Sequence, residues 1–153
     1  MCGIVAVTGY KKALPLLING LEKLEYRGYD SAGIAIINSE KNSITCNKAE
    51  GKLRNLINNL NNENIPGTVG IGHTRWATHG KPEFKNAHPH TDSSGTIAVV
   101  QNGIIENFQD LKNKLEKEGI IFNSDTDTEV IPHLIKRELN TLSKLNLENN
   151  GST

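Results

Sequence analysis

A fold that mixes helices with strands, α/β or α+β, is predicted for this 153-residue chain by three observations. Short β-branched runs alternate with stretches whose leucines recur at helical spacing. Polar groups collect at the ends of the strand-like runs. One long polar segment, Arg75 to Asp92, has no period of either kind. The length suits a single domain with one core, and pattern alone does not separate α/β from α+β.

Each element follows from its residues. Cys2 to Gly9 (CGIVAVTG) is apolar, β-branched and closed by glycine, which predicts a short strand buried on both faces. Leu14, Leu17, Ile18, Leu21 and Leu24 mark an amphipathic helix with Pro15 in its first turn. A glycine-bracketed turn, LEYRGYDSAG, follows, and in it Arg27 and Asp30 read as a structural ion pair. Gly33 to Asn38 resumes as a strand. Asn38 to Ser43 is a hairpin turn, and Ile44 to Glu50 the returning strand, with Cys46 as a filler. Leu53, Leu56, Ile57 and Leu60 mark a second helix, and Val69 to Thr74 a further strand.

Long ordered loops such as Arg75 to Asp92 are usually functional. A strand at Thr96 to Val100 then runs into Asn102-Gly103, a helix spans Glu106 to Glu118, and Ile120 to Asn123 reads as a short strand. A last helix opens at SDTDTEV, where Thr126 and Glu129 have capping-box spacing and Pro132 predicts a kink. From Asn140 to Thr153 the composition is polar, and the tail is expected to be frayed or disordered.

Lys plus Arg equals Asp plus Glu at 17 each, so no overall field draws in nucleic acid or an anionic membrane. Small ligands fit better. Neither a signal peptide nor a long apolar run is evident, and two cysteines make no disulfide framework, which points to the reducing cytoplasm.

Cys2 is the candidate around which the chemistry is arranged. If Met1 is removed, one residue carries both a thiol and a free α-amine. A free α-amine has an ordinary pKa of about 7.7 to 8 and can act as the base for a thiol nucleophile. Attack on an amide also needs oxyanion donors, a grip on the substrate and a cover against water. Asn102 and Gly103 supply a side-chain amide and an unhindered N–H for the oxyanion. Arg75 offers a planar fork to a carboxylate, Asp127 an acceptor for an ammonium group, and Trp76 a lid. The alternative reading is a hydrolytic zinc site on His73, His79, His88, His90 and Asp92, which lacks a second tight ligand pair.

CGIVAV, LEYRGYDSAGIA, GIGHTRWATHGKPEFKNAHPH, QNGIIEN and SDTDTEV together resemble the glutaminase domain of the glutamine:fructose-6-phosphate aminotransferase family, among the class II glutamine amidotransferases. The likeness covers most of residues 2–139. It implies an α+β fold, the αββα sandwich of an N-terminal-nucleophile hydrolase. It further implies L-glutamine as substrate, a γ-glutamyl thioester on Cys2, no cofactor and no metal. By motif, Asn102 and Gly103 correspond to the oxyanion hole, and Arg75 and Asp127 to the clamps on the glutamine carboxylate and amine. Trp76, Thr78 and His79 fall in the loop closing over glutamine, and Arg27 with Gly28 in the turn supporting the cysteine. Gln101 stands where the family usually has histidine.

The family continues with further strands and two sugar isomerase domains that bind fructose 6-phosphate. Residues 2–139 are therefore expected to be a partial glutaminase domain, truncated before its last strands and unable alone to make glucosamine 6-phosphate. An unpaired sheet edge invites self-association, so a homodimer is expected. The competing expectation is a non-catalytic, partner-binding remnant of that enzyme.

Overall fold

The computed structural model describes residues 2–61, 63–76 and 81–150, with side chains as far as Leu145. Six strands and four α-helices occur among them: β1 Gly3–Val7, α1 Ala13–Leu24, β2 Ser31–Asn38, β3 Ser43–Glu50, α2 Leu53–Asn59, β4 Gly70–Arg75, β5 His90–Thr91, β6 Ala98–Val99, α3 Phe108–Lys117 and α4 Val130–Asn150. Every strand pairing is antiparallel, which makes the fold α+β rather than α/β. The larger sheet runs β1-β4-β2-β3, and β5 pairs with β6 in a second, two-stranded sheet.

The two-residue period of the strands divides the larger sheet into unlike faces. On β2, Ala32, Ile34 and Ile36 point to one side and join Leu17 and Leu21 of α1 with Leu53 and Leu56 of α2 in a continuous core. Each of these leucines and isoleucines is at most 2% exposed, so each contributes on the order of 1.5–3 kcal/mol of transfer free energy. On β4 the same alternation puts Gly70 and Gly72 under Leu17 and Leu21. Ile71, His73 and Arg75 are thereby directed to the opposite face, where the site lies.

The loop from Lys81 to Pro89 crosses that opposite face at close range. A Cβ on Gly33 would stand 2.1 Å from the His88 carbonyl oxygen, so only glycine lets the loop lie this close to β2.

Four local expectations are corrected. First, β1 is an edge strand covered on one face rather than two: Val5 and Val7 pack against the core, while Ile4 on the other face is 39% exposed. Second, Ile120 to Asn123 forms no strand. The N–H groups of Asn123 and Ser124 donate to the Glu129 carboxylate at 2.8 and 2.7 Å, leaving no ladder for a neighbour.

Third, those same bonds replace the capping box. Glu129 reaches back to Asn123 and Ser124, and the Thr126 side chain makes no cap bond but meets His90 Nε2 at 2.9 Å. Pro132 falls in the first turn of α4, where its missing N–H has no helical acceptor to leave unpaired. Fourth, α4 runs on to Asn150 where a disordered tail is expected from Asn140. Leu139, Leu142 and Leu145 recur at helical spacing across that point, all at least 50% exposed.

Candidate active site

Three structural elements and two loops converge on one cleft. It is lined by Cys2, leading into β1, by His73 and Arg75 from β4, and by Trp76 just beyond it. His88 comes from the crossing loop, Gln101, Asn102 and Gly103 from the segment after β6, and Thr126, Asp127 and Thr128 from the entry to α4. Cys2, Arg75, Trp76, Asn102, Gly103 and Asp127, far apart in sequence, thus line one cleft.

The Cys2 sulfur is held by the chain leaving β4. The Trp76 N–H donates to Sγ at 3.3 Å, and Sγ lies 3.6 Å from the Trp76 carbonyl oxygen. Negative charge developing on the sulfur therefore meets a backbone donor. Asn102 Nδ2 donates to the Cys2 carbonyl oxygen at 3.1 Å, which ties the cysteine to the Asn102-Gly103 turn across 100 residues of sequence.

Gly28 lies against the peptide that joins Arg75 to Trp76. A Cβ there would meet the Arg75 carbonyl carbon at 2.6 Å and the Trp76 nitrogen at 2.8 Å. Arg27 sits in the same turn with its guanidinium 6.0 Å from the Tyr26 ring centre. Tyr29, just after it, packs edge-on to Trp76 at 5.4 Å.

Arg75 is 4% exposed, and its Nη1 donates to the Lys81 carbonyl at 3.2 Å. Asp127 is 6% exposed, and its Oδ2 accepts the Ile105 N–H at 2.7 Å, anchoring the chain that continues from Gly103. Thr128 Oγ1 donates to Gln101 Oε1 at 2.9 Å and so braces the same turn. Thr78 and His79 lie outside the described residues.

His73, His88 and His90, named for the zinc alternative, stack instead of converging their nitrogens. The His73 and His88 rings are 4.3 Å apart at 15°, and His88 meets His90 edge-on at 4.6 Å. Among the described residues no group of three or more His, Cys, Asp or Glu is placed to hold a metal. Burial lowers all three histidines from the usual value, His73 to about 4 and His90 to about 3, and the Arg75 charge pushes the same way. Lys48, itself lowered by burial, adds to this at His88 and His90.

Motif reasoning did not assign the cleft positions of His73, His88 and Thr128. A signal for His73 exists in the spacing: it precedes Arg75 by two on one strand, so the two side chains share a face.

Comparison with known proteins bears on the same residues. The family profile described as "Glutamine amidotransferase domain" matches residues 34–146. The chain is 60% identical over 136 residues to a glutamine–fructose-6-phosphate aminotransferase (isomerizing) of Gloeobacter violaceus, covering 88% of this chain and 22% of that protein. To the Pyrococcus horikoshii protein of the same name it is 58% identical over 139 residues, covering 91% and 23%. It therefore spans less than a quarter of the length of these relatives.

Among solved structures it resembles the B. subtilis glutamine phosphoribosylpyrophosphate amidotransferase, with a TM-score of 0.72 and 32% identity over 90% of this chain and 29% of that one. A structure described as the allosteric regulatory enzyme of purine biosynthesis gives a TM-score of 0.75 and 33% identity, over 90% and 30%. The fold is thus the antiparallel α+β architecture of the N-terminal-nucleophile amidotransferases, and no helix among the described residues is long and apolar enough to cross a membrane. The cleft, the profile and the relatives agree that the chain belongs to the glutamine amidotransferase domain family.

Proposed function

We propose that this chain is the glutamine-hydrolysing part of a glutamine:fructose-6-phosphate aminotransferase. The observation that carries the reading is the meeting of Cys2 with Arg75, Asn102, Gly103 and Asp127 in one cleft. After removal of Met1, the Cys2 amine takes the thiol proton and the sulfur attacks the side-chain carbonyl carbon of glutamine. Asn102 Nδ2 and the Gly103 N–H stabilise the tetrahedral oxyanion, such donors being worth about 10²–10³ in rate each.

The amine then returns the proton to the departing nitrogen, ammonia leaves, and a γ-glutamyl thioester remains on Cys2. Water cleaves the thioester to glutamate and regenerates the thiol. Arg75 binds the substrate carboxylate and Asp127 its ammonium, so the side chain alone reaches the sulfur. Trp76, with Thr78 and His79, covers the site, while Arg27 and Gly28 support the cysteine. No metal or cofactor enters these steps. The ammonia is destined for fructose 6-phosphate bound by sugar isomerase domains, in a cytoplasmic enzyme that pairs as a homodimer.

The test joins mass spectrometry of the intact protein with a glutaminase assay. The reading expects loss of Met1, covalent capture of Cys2 by a glutamine-like electrophile, and glutamate release abolished in Cys2→Ala. A retained Met1, or glutamate release indifferent to Cys2→Ala, would leave the chain a non-catalytic, partner-binding piece of that enzyme.

A further inference from the structure

The proposed reaction uses Asn102 as a donor but does not explain why its carboxamide points the right way. Oδ1 and Nδ2 have nearly the same shape, so a half-turn about the last torsion exchanges a donor for an acceptor. Asn102 is exposed, so packing does not choose between the two. An Asn102 turned the wrong way would present a lone pair to the developing oxyanion and repel it.

Two fixed neighbours stand beside the carboxamide. The Cys2 carbonyl, which can only accept, is 3.1 Å from Nδ2. His73 Nε2 is 2.9 Å from Oδ1. The second contact is a hydrogen bond only if Nε2 carries the proton.

We propose that His73 is a positioning residue, held as the neutral Nε2–H tautomer, which locks the Asn102 carboxamide with its N–H donors toward Cys2. This rests on the glutaminase reading for its consequence but not for its geometry.

The surroundings of the ring support that tautomer. His73 is 1% exposed and its Nδ1 is buried without a hydrogen-bond partner. A lone pair left unpaired there is tolerated more readily than a buried N–H would be. The opposite tautomer would also set the Nε2 lone pair against that of Oδ1. Burial lowers the ring's pKa to about 4 against the opposing pull of Asn102 and the Gln101 backbone, so in the neutral range the ring carries one proton and the contacts of its two nitrogens decide where it sits.

His88 supplies the remaining constraint. It lies on His73 at 4.3 Å and 15°, fixing the plane of the ring. Its Nδ1 accepts the Gln101 N–H at 3.4 Å, in the residue before Asn102. The stacked pair therefore grips both the backbone and the side chain of the turn.

The experiment uses the full chain with His73→Leu, which deletes the donor, and His73→Gln, whose side-chain nitrogen carries one to nearly the same place. For His73→Leu we expect kcat for glutamine hydrolysis to fall about 10²-fold, as for a lost oxyanion donor, with KM nearly unchanged. His73→Gln should recover most of that loss. Nitrogen NMR of the imidazoles should show His73 as the Nε2–H tautomer in the unsubstituted protein.

An unchanged kcat in a folded His73→Leu, a His73→Gln as impaired as His73→Leu, or an Nδ1–H ring would each overturn the proposal. A wild-type chain that releases no glutamate would defeat the glutaminase reading instead. The tautomer would then decide the positioning claim alone, as it would if His73→Leu failed to fold.

Discussion

The backbone N–H of Trp76 points at the Cys2 sulfur across 3.3 Å. That contact depends on where the Arg75–Trp76 peptide sits, and Gly28 sets its place by leaving no room for a Cβ. Gly28→Ala must push this peptide away, at a cost of roughly 1–3 kcal/mol for an overpacked site. We expect a lower melting temperature, slower alkylation of Cys2 by a neutral thiol reagent, and reduced glutamate release. Wild-type melting and alkylation in this variant would show that the peptide yields freely.

Arg75 and Asp127 are predicted to act on substrate binding more than on turnover. Asp127→Asn keeps an acceptor for the Ile105 N–H but loses the charge that faces an ammonium group. KM for glutamine should rise about 10- to 100-fold, in line with a charged hydrogen bond worth roughly 1.5–3 kcal/mol. Arg75→Lys exchanges a planar fork for a point charge and should raise KM in the same way. Steady-state kinetics on both variants checks this, and a fall confined to kcat would contradict it.

Acid should unfold the domain early. His73, His88 and His90 titrate well below the value of about 6.5 expected in an unfolded chain. As pH drops below 6.5, the unfolded state takes up protons that the buried rings refuse, so stability present above that pH is lost on the way to about 4. Three such sites give a slope approaching about 4 kcal/mol per pH unit. Urea titrations at pH 7, 6 and 5 would measure it, and a flat profile over that range would contradict the buried neutral cluster.

Glu129 makes a second, more acidic contribution. Burial raises its pKa, but His133, with Nε2 3.7 Å away, and the hydrogen bonds from Asn123 and Ser124 outweigh that and hold it at about 2. A depressed carboxylate stabilises above its unfolded value near 4.5, and the gain disappears as pH falls toward 2. Glu129→Gln retains one acceptor where two donors and a hydroxyl are served, and should destabilise by roughly 2–3 kcal/mol at pH 7. The same substitution should leave the loss between pH 6.5 and 4.5 intact, which separates this effect from that of the histidines.

Local pattern carried much of what the chain does. The leucines of α1 and α2 and the β-branched runs of β2 and β4 were legible because a period of 3.6 or 2 is written directly into side-chain order. The motif at Cys2 and those around Arg75, Asn102 and Asp127 named the residues that meet in the cleft, and the likeness to known amidotransferases agrees with the family. Ile120 to Asn123 misled, since a short apolar run does not disclose that its first N–H closes the end of α3 on the Leu115 carbonyl and its last is taken by the Glu129 carboxylate.

What sequence alone determined is therefore the set of elements and the chemical types available to them. Tertiary structure alone decided the orientation of those groups: that Gly28 abuts the Arg75–Trp76 peptide, and that His73 faces Asn102 while stacked on His88. The physical reason is that hydrogen-bond direction and ring stacking act over a few ångströms between residues tens of positions apart. No local period encodes such a meeting, and only the assembled sheet with its crossing loop brings the partners within reach.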